Sequence, residues 1–263
     1  MHIQRDEMNL ITSRKNEYIR LLRQLGGDGA ARRARGEYIC DGVKTLKEAL
    51  AAGAEVSSVL WREEAQAVDG LSCAAQYAAP GELFDYAAPL KSCPGPLFTV
   101  RMPRGADAAR INNAIVLETV QDPGNVGTII RTANAFGIDA VILVGACADL
   151  YSPKTVRATM GAIFRQRVIA CRAEELMPLL EGSGLTLYGA ALSARAQDVR
   201  GVDISHAAVA IGSEGQGLSA ALLSMCAGEL IIPMQACSES LNAGVAASVI
   251  MWEMARAAYA PEA

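Results

Sequence analysis

Three times in its second half the chain passes from an apolar, β-rich run through a polar, glycine-bearing turn into a helix-forming stretch. NAIVLE (113–118) leads into QDPGNVG (121–127), AAVAIG (207–212) into GSEGQGLS (212–219), and ELIIP (229–233) into IPMQACSESLNAG (232–244). An apolar run without alternation suits a strand buried on both faces, and both faces are buried where helices cover a parallel sheet. Further runs, AVILV (140–144) and LTLYGA (185–190), carry the same signal, as does the end of SPKTVRATMGAIFRQRVIA (152–170), which reads as a short helix and a strand. Helices are expected over 125–137, 173–181, 218–226 and from about Leu241 to Tyr259. The fold class is therefore α/β with an open, mostly parallel sheet. Ligands of such sheets sit beyond the carboxyl ends of the strands, so the three turns are where chemistry is to be sought.

The first half repeats the grammar more weakly. A helix is expected within 9–25, with Ser13 as N-cap and Gly26-Gly27 as its stop. EYIC (37–40), VSSVLW (56–61) and PLFTVRM (96–102) read as strands, VKTLKEALAAG (43–53) as a helix closed by Gly53. These describe a small α/β domain ending near Arg104, with PRGADAARINN (103–113) as a linker. The organisation expected is a basic helical extension (1–35), a small domain (36–104) and a larger domain (105–263).

Composition bounds the function. Hydrophobic content of 51% and charged content of 20% fit an ordered globular protein. No apolar run is long enough to span a bilayer, and the polar N-terminus lacks a signal-peptide core, so a cytoplasmic protein without membrane partners is expected. Seven cysteines without a CxxC pair suit reduced structural thiols, and two histidines, His2 and His206, make a zinc site improbable. Net charge is −4, yet residues 1–35 hold eight basic and four acidic side chains, leaving −8 on the rest. Such an arm could reach a phosphate backbone, or be a solvated helix face.

Residue by residue, two readings stand side by side. Asn125 suits a helix cap. Arg131, a lone charge in an otherwise small and apolar helix, suits a salt bridge, a snorkelling residue or a group that meets an anion. Glu214 is a loop carboxylate or a helix-start charge. Ser240 and Asn242 could simply cap the last helix. Neither G-x-G-x-x-G nor a P-loop occurs.

In combination the motifs are more specific. DPGNVGxxxRxxxAFG, then GSEGQG, then IPM…SLN, in this order at the ends of one sheet, resemble the SpoU/TrmH family of RNA ribose methyltransferases, of the SPOUT superfamily, over about residues 112–258. SPKTVRATMGAIF (152–164) is similar to the family's segment between its first two motifs. RGEYICDGVKTLKEALAAGAEVSSVLW resembles the family's small substrate-binding domain of L30e-like fold, and ITSRKNEYIRLL the N-terminal extension of its bacterial ribosomal-RNA members.

The resemblance implies a SPOUT-type parallel sheet with a deep C-terminal trefoil knot, homodimers with the site near the interface, and methyl transfer from S-adenosylmethionine, without a metal, to a ribose 2′-hydroxyl. Structured RNA is the partner, 23S ribosomal RNA before transfer RNA. Matched to the family's motifs, Asn125, Arg131, Glu214, Ser240 and Asn242 are the catalytic residues, and Gly212, Ile232, Met234 and Leu241 bind the cofactor. Two departures stand out. Tyr38, Asp41 and Gly42 replace a common Phe-x-x-Glu-Gly pattern. Ala243-Gly244 replaces Val-Ser after SLN, which is expected to loosen the start of the last helix. A base-methylating enzyme and a non-catalytic RNA-binding module are the alternatives.

Overall fold

The computed structural model describes residues 9–64, 71, 75–103, 110–235 and 240–259. Residues 1–8 of the basic extension, with His2 and Arg5, the middle of the expected linker, Cys73, and residues 236–239 of the third turn, with Cys237, lie outside the described residues. The chain divides into two compact units, residues 1–105 with 149–164, and 106–148 with 165–263.

The first unit is built on a mixed sheet. Its strands are β1 (Asn9–Leu10), β2 (Glu37–Asp41), β3 (Val56–Arg62), β4 (Ala75–Ala79) and β5 (Leu97–Arg101), in the order β1-β4-β3-β5-β2. Strand alternation sorts the side chains onto two apolar faces. Ile39, Leu60 and Leu97 pack with Ile19, Leu22 and Leu25 of α1 (Glu17–Gly27) and Phe84 of α4 (Gly81–Ala87). Their neighbours Tyr38, Cys40, Val59, Trp61 and Phe98 pack on the other side with Leu46 of α3 (Val43–Ala51). That second face also receives Val156 of α6 (Pro153–Ala158) and Ile163. Residues 149–164 thus pack with the first unit, although the sequence pattern assigns them to the larger domain, 105–263.

Two ion pairs fasten this returning segment. Arg157 holds Asp41 through Nη2 at 2.6 Å and Nε at 3.3 Å. Arg32, on α2 (Gly29–Arg35), reaches Asp149 at 2.6 Å and the Leu25 carbonyl at 2.5 Å. Arg32 is buried and spoken for, so it is not one of the charges the basic extension could offer to a phosphate.

The start of α1 differs from the sequence expectation. Asn16, not Ser13, is the N-cap, accepting from the Tyr18 amide at 2.9 Å, while Ser13 accepts from Lys15 in a turn outside the helix. Gly26 and Gly27 lie inside α1. The stop is Asp28, whose carboxylate caps α2 at Ala30 and Ala31.

The second unit is an all-parallel sheet, order β10-β12-β9-β11-β6-β7-β8. The strands are β6 (Ala114–Glu118), β7 (Ala140–Val144), β8 (Arg167–Cys171), β9 (Thr186–Ala190), β10 (Gln197–Asp198), β11 (Ala207–Ile211) and β12 (Gly228–Ile231). Helices α5 (Pro123–Phe136), α7 (Ala173–Ser183), α8 (Ala220–Met225) and α9 (Ala243–Ala255) complete it. AVILV and AAVAI are buried along their whole length, as the runs without alternation require. β6 and β11 lie side by side at the centre. From β6 the chain winds outward through β7 and β8, and β9, β12 and β10 occupy the other side. The turns after β6 and β11 therefore leave the sheet at adjacent carboxyl ends.

Candidate functional site

The turn after β6 runs from Glu118 to the first residues of α5. Thr119 takes a left-handed conformation, φ 53°, and its amide donates to the Val144 carbonyl at 3.1 Å. Asp122 caps α5 by accepting from the Asn125 amide at 2.8 Å, with Pro123 at the first helical position. Asn125 is thus not the cap. It is the third helical residue, and its side chain is free to do something else: Nδ2 donates to the Glu214 carboxylate in the second turn.

That second turn folds back on itself. Gly217 takes φ 66°, and its amide donates to the Ser213 carbonyl at 2.9 Å. Gly212 makes the reversal possible. A Cβ built on it would lie 2.0 Å from the Gly217 carbonyl carbon. The turn ends at Ser219, which caps α8 by accepting from Leu222 at 3.1 Å. Glu118 accepts from the Ser219 amide at 2.7 Å and from its hydroxyl at 2.6 Å.

In the third turn Asn242 is a true N-cap, accepting from Gly244 at 2.9 Å and Val245 at 3.2 Å, a role that stabilises a helix by about 1 kcal/mol. Ser240 has no hydrogen bond to any described residue and is exposed. The expected loosening at Ala243-Gly244 is absent. Gly244 is buried, and a Cβ there would come within 3.2 Å of Asn125 Oδ1, so the missing side chain lets α9 approach α5 closely. Ser248 on α9 donates to the Gly244 carbonyl at 2.7 Å, and its Oγ lies 3.4 Å from Thr132 Oγ1 on α5.

A cavity of about 480 Å³ opens between the turns, bordered by Gly212, Glu214, Ile232, Met234, Ser240 and Leu241. Ile211, Leu218, Leu223 and Ile231 supply apolar wall. Asn125 reaches its rim through Glu214. With Asn242, Asn125 also borders a second, apolar groove of about 670 Å³ between α5 and α9. Arg131 lines neither space. It stands one turn beyond Thr128 on α5, is exposed, and makes no hydrogen bond or ion pair with any described residue. The salt-bridge reading of Arg131 therefore finds no partner among them.

Sequence reasoning passed over two polar groupings. Glu118 and Ser219 are one. The other is on the cavity wall, where the buried Glu229 accepts from Ser193 Oγ at 2.5 Å and Arg195 Nη2 at 2.5 Å. A carboxylate inside the apolar run ELIIP was a visible signal. Nothing local marked Ser193 or Arg195. Behind the first turn, burial pushes the Cys147 thiol up from its ordinary value, and its Sγ donates to the Leu117 carbonyl at 3.2 Å, as befits a structural thiol.

An all-parallel sheet with the segments after β9, β11 and β12 gathered around one apolar, polar-rimmed cavity places an α/β protein's candidate ligand site at the strands' carboxyl ends. Residues 112–252 match the SpoU rRNA Methylase family. The chain is 29% identical to the 23S rRNA (guanosine(2553)-2′-O)-methyltransferase RlmP of Bacillus subtilis, covering 94% of this chain and 99% of that one. It is 32% identical to an uncharacterized tRNA/rRNA methyltransferase of Synechocystis sp., covering 95% of this chain and 94% of that one. The crystal structure of the SpoU methyltransferase AviRb from Streptomyces viridochromogenes, in complex with the cofactor AdoMet, superposes with a TM-score of 0.84 at 26% identity, over 94% of this chain and 100% of that one. The chain belongs to the SpoU rRNA methylase family.

Proposed function

We propose that the protein transfers a methyl group from S-adenosylmethionine to a ribose 2′-hydroxyl of structured RNA, and that this RNA is 23S ribosomal RNA. The reading rests on one observation: Asn125 and Glu214, from separate turns, are bonded at the rim of a cavity bordered by the second and third turns. Likeness to RlmP along nearly its whole length supports the choice of 23S RNA.

The residues present fit the cofactor. The cavity lies within the 300–1,000 Å³ range usual for small-molecule sites. Ile232, Met234 and Leu241 offer apolar cover for adenine faces. Main-chain groups of the turn that begins at Gly212 read adenine or ribose edges in this proposal. When bound, the cofactor supplies a methyl already activated on a sulfonium.

The chain's part is then positioning and charge. Arg131, exposed and uncommitted, offers a planar fork to the target's phosphate and to charge developing on the 2′-oxygen. Guanidinium deprotonation is too costly for it to serve as a base. Glu214 orients Asn125, and Ser240 with Asn242 place polar groups beside the reacting sugar.

The remaining expectations join this reading. Residues 36–104 act as an L30e-like substrate-binding domain, aided by the basic extension and packed with residues 149–164, and the remainder of 105–263 acts as a knotted catalytic domain. The protein works in the cytoplasm as a homodimer. Exposed Val245, Val249, Trp252 and Tyr259 on and after α9, with Phe136 tilted against Trp252 at 5.5 Å, present the apolar surface a second copy would cover.

Transfer of labelled methyl to ribosomal RNA, mapped to a single ribose, tests the proposal. Equal transfer to a target carrying 2′-deoxyribose at that position refutes it, because only RNA offers the 2′-hydroxyl.

A further inference from the structure

We propose that Glu118 is a positioning residue that sets the cofactor-binding form of the Gly212–Ser219 turn. The inference rests on the functional reading above. It concerns a residue outside the three motifs.

Glu118 closes β6 and is followed at once by the left-handed Thr119. Its two carboxylate oxygens take separate donors from Ser219, the hydroxyl on Oε1 at 2.6 Å and the amide on Oε2 at 2.7 Å. Ser219 is the last residue of the second turn and the N-cap of α8. The turn is thus held at three points. Gly212 and Gly217 touch at its base, Asn125 takes Glu214 in its middle, and Glu118 takes Ser219 at its far end. Two of these three points flank the peptide that joins β6 to α5, Glu118 as the last residue of β6 and Asn125 in the first turn of α5. That peptide leads into the helix bearing Arg131, so the cavity wall and the catalytic helix are laced together by two carboxylates.

Neutral replacement of Glu118 should release only the far end. A two-pronged bond from a carboxylate is sensitive to its chemistry. Gln can accept one donor but turns an NH₂ toward the other. Ala accepts neither. A carboxylate bond that contributes on the scale of charged hydrogen bonds predicts that Glu118→Ala weakens cofactor affinity about ten- to hundredfold, with Glu118→Gln between it and the parent.

The test is calorimetric titration of S-adenosylmethionine into the full chain and into Glu118→Ala, Glu118→Gln, Ser219→Ala and the double alanine variant. Circular dichroism and thermal melting run in parallel. The expected result is a graded loss of affinity in folded protein, a double variant no weaker than the worse single one, and faster hydrogen exchange at the Ser219 amide. In turnover the rise is in KM for the cofactor, with kcat at saturation changed far less. Folded Glu118→Ala binding as tightly as the parent would overturn the inference and leave the functional reading standing. A parent that binds no S-adenosylmethionine would overturn both. Should Glu118→Ala not fold, the decision passes to Glu118→Gln and Ser219→Ala, which must both weaken binding.

Discussion

Asn125 on α5 and Glu214, 89 residues later, share a hydrogen bond in which the amide donates and the carboxylate accepts. The polarity of that bond is testable. Asn125→Asp sets two carboxylates face to face, a repulsion of about 1 kcal/mol at a site open to solvent. Methyl transfer should fall by at least about a hundredfold, as for loss of a pre-organised polar group. Stability should return in Asn125→Asp with Glu214→Gln, where Gln becomes the donor. Urea unfolding of the parent, the two single variants and the double variant decides it. A double variant as unstable as Asn125→Asp would mean that the two side chains do not meet.

Gly212 is held by a different constraint. A Cβ on it would stand 2.0 Å from the Gly217 carbonyl carbon and 2.3 Å from the Leu218 nitrogen. Non-bonded carbons settle at about 3.5–4.0 Å, and both obstacles are backbone, so the turn itself has to open. Gly212→Ala is expected to destabilise by about 1–3 kcal/mol and to lower S-adenosylmethionine affinity more than tenfold. Thermal melting and equilibrium titration measure the two effects separately.

Arg131 predicts the opposite pattern. It is exposed and bonded to no described residue, so replacing it should leave unfolding free energy within about 0.5 kcal/mol of the parent. Arg131→Lys keeps the charge but loses the planar fork. Methyl transfer should fall by about a hundredfold or more while cofactor affinity holds. A large drop in melting temperature would show that the guanidinium serves the fold instead.

Much of the second unit was legible because its strands are buried on both faces. AVILV and AAVAI could be read from their unbroken apolar character. β10 could not, since Gln197–Asp198 is two polar residues held by one neighbour, β12. The start of α1 was misplaced because Ser13 and Asn16 are both good caps locally, and packing of Ile19, Leu22 and Leu25 chooses between them. Asn125 suits a cap by the same local measure, while Asp122, three residues earlier, does that work. Long-range pairs leave no local trace. Glu118 and Ser219 are 101 residues apart, Arg157 and Asp41 116. Motif order could say which turns matter, but not which side chains fasten them.

Cys93 supplies a prediction in pH. Burial pushes its thiol up to about 12 from an ordinary 9.0, and the neighbouring Asp41, which accepts from Sγ at 3.3 Å, pushes the same way. The unfolded chain loses this proton near pH 9, the folded chain only near pH 12. Above pH 9 the unfolded state therefore binds fewer protons, and stability falls as pH rises. This contribution is fully present below pH 9 and is lost progressively between 9 and 12. Cys93→Ser keeps a donor for Asp41 but removes the titration. Between pH 9 and 10.5 its urea midpoint should decline less steeply than the parent's. The slope should not vanish, because burial also raises the Cys40 thiol. Equal slopes in the two proteins would mean that Cys93 is exposed to solvent when folded, and the Asp41–Arg157 pair beside it would then have to be open as well.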